Sequence, residues 1–440
     1  MTATPVTAAS GVFAGALDAI AAMPAPELLK ALRSRGRESF HSLGLPSRRQ
    51  EEWRFTGLKG LDTGNYQAPR AITSRIDVGQ WRVGDAHVLV FVDGIFSPEA
   101  SEIGDLPDGV VASNLILAAA AGSEALTRNL GSQAPLDRHP FAALNTAAVA
   151  DGAFIHLPAE TQLEWPIQLV FISGAEGRAT LSAPRILVVA DAGSNAAVIE
   201  QHVGGGGASL SCPVTEIVVA ENASIEHVTV QEESLAASQL AVRQVKLARY
   251  SRYSGCAVSL GGNLARTDVG VVLDGEGAEA SLDGLSVGDG EQQMDSHLTV
   301  RHASPQCRSH QLYKGIFGGR AKAVFNGRII VDQDAQKTDA KQSNRNLLLS
   351  DDALVNSNPQ LEIFADDVRC THGSTIGRLD EEAIFYLRSR GIDATAAEQM
   401  LTLAFAGEIL DRIPVNPIRD RLQGIIADRL AEISRSGGAE

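Results

Sequence analysis

The chain has 440 residues, with 53 acidic against 38 basic side chains for a net charge of −15, and it is 44% hydrophobic, 5% aromatic and rich in glycine, with 42. That hydrophobic share excludes wholesale disorder, and the length suits about two or three domains. The acidity argues against nucleic acid as a partner, since an acidic surface gains nothing from counterion release.

Compartment signals are few. Met1–Ser10 lack the basic-then-apolar pattern of a secretory leader, and the longest apolar run, residues 115–122, is far short of the roughly 20 residues that span a bilayer. Cys212, Cys256, Cys307 and Cys370 are scattered singly, which fits neither a disulfide framework nor a closed zinc site. A cytoplasmic protein with no membrane partner is the expectation.

In chain order, residues 1–140 read as a helical, α+β region. Leu28, Leu32 and Phe40 form the apolar side of a surface helix among Arg33, Arg35, Arg37 and Glu38. The run from His87 to Val92 reads as a strand closed by a turn at Asp93-Gly94, and residues 113–121 as another helix.

Residues 141–377 change texture. Apolar runs of four to seven residues alternate with Gly, Asn and Asp, as at 185–190, 216–220, 244–248, 269–273 and 328–331. Similar units close on Glu200, Glu226 and Asp283; the first two are 26 residues apart, and the third falls 57 later, about twice that. A period in the twenties with small residues at corners predicts a mainly β protein built on a β-solenoid of stacked parallel coils. Its turns must stack, because no single turn can bury its inner face. The competing architecture is a β-sandwich, with strands recurring at roughly 8–12 residues.

Residues 378–440 read as a helical domain. Asp380 caps a helix bearing Ile384 and Leu387, with Gly391 just past its end. Thr395-Ala-Ala-Glu398 reads as a capping box for a second helix with Met400, Leu401, Ala404 and Phe405 on one face, ended by Pro414. Asn416-Pro417 opens a third, with Ile418, Leu422, Ile425 and Leu430 aligned. Such stripes are usually internal packing, yet so small a domain has few interior positions for three of them.

Most chemical motifs fail. There is no GxxxxGK[ST] phosphate loop. Gly275-Glu-Gly277-Ala-Glu-Ala280 matches a dinucleotide fingerprint in letters, but residues 281–286 cannot open the helix that a phosphate needs, so it reads as a solenoid corner. Gly204–Gly207 reads as a flexible loop. His297, His302 and His310 lie near Cys307 at spacings that fit no compact ligand set, and they read as histidines of an exposed solenoid face.

Val368-Arg-Cys370-Thr-His372-Gly373 is the exception. On a strand, residues two apart project to the same face, about 6.5 Å apart. Cys370 and His372 therefore share a face as candidate metal ligands, while Arg369 and Thr371 point the other way. Two ligands cannot close a four-coordinate site, so if the pair is functional the rest must come from a substrate, a cluster or another chain. The alternative is a packed Cys beside a surface His.

At these residues the sequence resembles the SufB/SufD scaffold proteins of the Suf iron–sulfur cluster assembly system, and SufD-type members in particular. The resemblance is densest from Asn346-Leu-Leu-Leu through Asn358-Pro-Gln-Leu-Glu-Ile363 and residues 365–373 to Thr375-Ile-Gly377 and residues 384–391. Pro46-Ser-Arg-Arg-Gln-Glu51-Glu-Trp53-Arg-Phe-Thr56 is similar to the family's amino-terminal Arg/Glu/Trp motif. Asn145, Ala147, Asp151-Gly152, Pro158 and Pro166-Ile167 resemble the entry to its core domain.

The resemblance implies a right-handed parallel β-helix (solenoid) between helical ends and a scaffold without enzymatic activity of its own. It implies pairing with SufB, docking of the SufC ATPase through the carboxy-terminal helices, and sulfur arriving indirectly from a cysteine desulfurase. A transient iron–sulfur cluster would form at the SufB–SufD interface, with His372, and less firmly Cys370, facing a SufB cysteine. A flavin donor, FADH2, is weighed for the assembled complex, and no cofactor is expected on the isolated chain, which should self-pair as a homodimer. The alternatives are a SufB-like scaffold, a β-helix carbohydrate lyase or esterase with Asp366-Asp367 as its carboxylates, or a plain structural dimer.

Overall fold

Short aliphatic runs broken by tight corners fold here into stacked parallel strands. The computed structural model describes residues 11–58, 60–61, 64–71 and 76–437; Met1–Ser10, on which the leader reading rests, lie outside them. The chain alternates between a ten-stranded and an eleven-stranded sheet, making a parallel β-solenoid of about eight turns. Inward side chains of both sheets, among them Ile155, Val188, Ile217, Val245 and Val271 on one and Leu169, Val198, Ile225 and Leu282 on the other, share one buried core. The sandwich is excluded, because successive strands of each sheet are parallel.

The period is right and its phase is not. Ser224 pairs with Asn195 and Arg252 with Ser224, steps of 29 and 28 residues. Glu226 therefore stacks on Ala197, and Glu200 stacks on Thr229. The similar-looking units are offset because corner lengths vary, so that a turn takes between 26 residues (Ser238 to Leu264) and 33 (Gly152 to Arg185). Gly275 and Gly277 do form a corner, followed by the strand Glu279–Gly288. Gly204–Gly207, in contrast, is a packed corner. A Cβ at Gly204 would meet the Ser234 backbone, and at Gly207 the Arg178 carbonyl, so these glycines permit close approach of neighbouring turns.

The stack begins early in the chain. The strand His87–Val92 lies parallel on Ile167–Ser173, and the two-residue strand Ile95–Phe96 turns back on it. The other sheet ends on Val111–Asn114, antiparallel to Gly152–Leu157. The helix Glu27–Leu43 buries Leu29, Leu32 and Phe40, and it also buries Arg33, which the sequence pattern places on the polar side. Arg33 donates to the carbonyls of Val149, Ala150, Ile20 and Met23, satisfying a charge inside the joint between helix and solenoid.

The three carboxy-terminal helices are Glu381–Ser389, Ala394–Leu410 and Asn416–Gly437. Asp380 caps the first as expected, but the second is capped by Asp393, whose side chain accepts from the Ala396 N–H; the helix starts too early for a Thr395 box. The last two pack along the outer face of the ten-stranded sheet. There Ile409, Leu410, Ile418, Leu422 and Ile426 cover Ile199, Val228, Leu285 and Leu312. Lys314 donates to the Phe405 carbonyl (2.9 Å), and Arg412 pairs with Asp283 (3.1 Å). The helices flank the solenoid and leave its last strands with one open edge each.

Candidate functional site at the open end of the solenoid

The chain's last two strands, Leu354–Ile363 and Arg369–Gly377, terminate the two sheets. Each pairs on one side only, with Lys322–Val331 and Asp339–Leu348 respectively. Nine- and ten-residue strands with a free edge are long for unprotected ends, and Leu354, Phe364 and Ile376 around them are exposed.

Cys370 and His372 lie on this terminal strand, in register with Ala340 and Gln342. Ala340 belongs to the buried core of the last turn, so Cys370, His372 and Ser374 face the same way as the solenoid interior. Cys370 is half-buried against that core. His372 is exposed above an inward ladder of Gln342 and Gln311, joined by a 2.8 Å amide hydrogen bond. Ser374 Oγ donates to Ser357 Oγ (2.8 Å), and Ser357 to Asn344 Oδ1 (2.8 Å), linking the two final strands across the mouth.

The pair differs electrostatically. Burial pushes the Cys370 thiol above its ordinary value; a backbone hydrogen bond at Ala340 opposes the rise and the Asp339 carboxylate adds to it. Arg369 is not among the groups acting on it. Cys370 therefore remains a neutral thiol at neutral pH in this chain, while His372 has no hydrogen-bond or ion-pair partner among the described residues. Among those residues no three of His, Cys, Asp and Glu gather to hold a metal ion. The arrangement places one thiol and one imidazole on the same face of the mouth.

The other candidates are dispersed. His297 is buried on the outer face, in register with Asp268, and burial pushes it down to about 3. His302 is also buried, with Nε2 on Ser309 Oγ (2.9 Å), and Cys307 lies in the interior core. His297 and His302 are thus not histidines of an exposed face, whereas His310, next to Ser309 in sequence, is partly exposed. Asp367 is ion-paired with Lys337, so Asp366-Asp367 is not a carboxylate pair aimed into a cleft.

The amino-terminal Arg/Glu/Trp motif proves to be a clasp. The Arg266 guanidinium lies over the Trp53 ring at 3.6 Å, chelates Asp268 through two 2.8 Å bonds, and donates to Glu52 O and Thr56 Oγ1. Sequence reasoning missed Ser357, Ser374 and Asn344 at the mouth. The signal was Gln342-Ser-Asn344-Arg-Asn346, polar residues at alternate positions where an inner face should be aliphatic.

With this geometry in view, the chain matches two family models: the SufBD protein N-terminal region over residues 11–169, and the SufBD core domain of SUF system FeS cluster assembly over residues 171–405. It is similar to an iron–sulfur cluster assembly SufBD family protein of Synechocystis, 35% identical over 403 residues that cover 88% of each chain. It is also similar to the iron–sulfur cluster assembly protein SufD of Escherichia coli, 31% identical over 395 residues covering 88% of this chain and 90% of the relative. SufD of Bacillus subtilis is 26% identical over 327 residues, covering 72% and 73%.

Proposed function

The chain belongs to the SufBD family of the Suf iron–sulfur cluster assembly system, and on that premise we propose that it is a SufD-type, non-enzymatic scaffold subunit. The observation that carries this reading is the open end: two candidate ligands on a terminal strand whose free edge asks for another chain. A SufB-like subunit covers that edge, and its own donors complete the coordination of a nascent cluster, which is the cargo of the assembly. His372 is the stronger donor, since a neutral imidazole binds metal directly whereas the Cys370 thiol must first lose a proton that burial holds in place.

The carboxy-terminal helices receive the SufC-like ATPase. Their supporting feature is the face turned away from the solenoid, where Phe385 (73% exposed), Tyr386, Met400 and Leu403 are uncovered. Desulfurase and ATPase activities reside in partner proteins, and a flavin donor, if the assembly uses one, binds the complex.

Co-expression with SufB-like and SufC-like subunits tests the reading. The three chains should co-purify and, after anaerobic handling, carry iron and sulfide. Failure of the SufB-like chain to co-purify would remove the scaffold assignment.

A further inference from the structure

The two free strand edges at the open end are not equivalent. Arg369 N–H donates to the Thr338 carbonyl, so in this parallel ladder the odd-numbered residues of Arg369–Gly377 bond the neighbouring strand. Cys370, His372, Ser374 and Ile376 therefore aim their N–H and C=O groups outward. In Leu354–Ile363, Leu354 N–H donates to Ala321 O and Phe364 N–H, just past the strand, to Val331 O, so here the odd-numbered residues hold the free side. Pro359 sits in the middle of them. Proline has no N–H to offer, and a proline on an edge works against pairing there. The ladder that a second chain can take without a gap is the one on Arg369–Gly377.

A row of charges runs across the outer face of the same sheet and ends at this edge. Arg252, Glu279, Arg308, Asp339 and Arg369 lie directly opposite one another on successive strands and alternate in sign. At Glu279 one carboxylate oxygen meets Arg252 (3.4 Å) and the other meets Arg308 (3.5 Å). Every member between the two ends has an opposite charge in register on both sides. Arg369 has Asp339 on one side and the free edge on the other. It is exposed and makes no hydrogen bond or ion pair among the described residues. Lys341 and Arg345 are exposed on the same face of the adjacent strand, so this rim is basic in a chain of net charge −15. Opposite charges facing across strands are favourable, and like charges are not.

Resting on the reading that a SufB-like chain covers this end, we propose that the covering chain adds a strand to Arg369–Gly377 and carries an Asp or Glu opposite Arg369, as the next member of the row. That carboxylate fixes the register of the shared ladder, and so what faces His372. A slip of one residue turns it to the other face, and a slip of two carries it off Arg369. Charge placed in this way selects the partner and its alignment more than it adds raw affinity.

The test uses the full chain co-expressed with SufB-like and SufC-like subunits. Arg369→Glu should weaken capture of the SufB-like chain about tenfold, and more at low than at high ionic strength. Arg252→Glu makes the same charge change in the same row, away from the edge, and should leave capture unchanged. Arg369→Lys keeps the charge and supplies an amine. A carbodiimide should then join position 369 to an Asp or Glu of the SufB-like chain, read by mass spectrometry of the linked peptides. Should Arg369→Glu not fold, that link decides. Undiminished capture by Arg369→Glu, equal losses in Arg369→Glu and Arg252→Glu, or an Arg369→Lys complex with no link from position 369 overturns the proposal and leaves the scaffold reading in place. No capture by the wild-type chain removes both.

Discussion

The two ends of the solenoid are finished in opposite ways. In the amino half the sheets stop on short antiparallel strands, Ile95–Phe96 and Val111–Asn114, and farther along the stack a clasp of Trp53 on Arg266 ties the amino-terminal segment to the wall. Buried ion pairs support it: Arg185 meets Glu216, whose carboxylate also accepts from the backbone N–H groups of Gly131, Gln133 and Ala134. At the carboxyl end, strands of nine and ten residues stop with a free edge, exposed apolar side chains and a polar mouth. Short, reversed edges discourage pairing and long free ones invite it. Stabilising contacts are concentrated at one end and unpaired strand edges at the other.

If so, substitutions at the two ends should fail in different currencies. The largest effect belongs to the closed half. Glu216→Ala strands Arg185 in the interior and frees three backbone donors, and should cost about 3–5 kcal/mol in urea denaturation. A loss below about 1 kcal/mol would erase the contrast.

Next comes a pH effect, also in the closed half. Burial pushes Glu233 up to about 8; hydroxyls of Ser173 and Ser211 oppose the shift and the Asp93 carboxylate adds to it. Between the unfolded carboxyl value of about 4.3 and about 8, the native state holds a proton that the unfolded chain has released. Stability must therefore fall as pH rises through that window, by at most about 1.4 kcal/mol per unit. Glu233→Gln should flatten the profile, matching wild type near pH 4 and exceeding it at pH 8. Parallel profiles would show Glu233 to be ionised in the fold.

At the open end, the expected losses are in association. Phe364→Lys and Ile376→Lys place charge on an exposed rim, and should weaken self-pairing or capture by a SufB-like chain about tenfold or more. Unfolding should stay within roughly 1 kcal/mol of wild type. Sedimentation over a concentration series reads the first, and denaturation the second. Loss of fold in parallel with association would mean that the rim is structural.

The smallest effect on the fold is at the ligand pair. His372→Ala should change stability by about 0.5 kcal/mol or less, since the imidazole touches nothing that needs it. It should nevertheless lower the iron and sulfide carried by the complex, with Cys370→Ser doing less. Wild-type metal and sulfide loading in His372→Ala would move the site elsewhere.

The parallel stack is legible in the sequence because aliphatic runs of similar length recur between glycine and asparagine corners, a pattern that survives variation in turn length. Register is not legible, because corners of unequal length shift the phase; Glu200 and Glu226 look alike and occupy different positions in their turns. The shared face of Cys370 and His372 follows from strand alternation alone. That this face continues the solenoid interior does not, since Ser357 and Ser374 meet only when both terminal strands are in place. Arg33 reads as a surface charge from the helical pattern, and only packing reveals it as buried.

The last helix also makes the molecule stiff. Asn416–Gly437 has 22 residues and is about 33 Å long. Near its start Pro417 rests on Gly84, and Arg421 reaches the Gln80 carbonyl and Glu232; farther along, Arg429 bonds Gln292 and Ile433 abuts Gly318. It lies along the stack as a splint, fastened to early and late turns alike. Stacked turns joined only by ladders can shear or bend at any one layer, but here each such motion must slide or lengthen the helix. A load applied to the flank is therefore shared among the turns between Gly84 and Gly318.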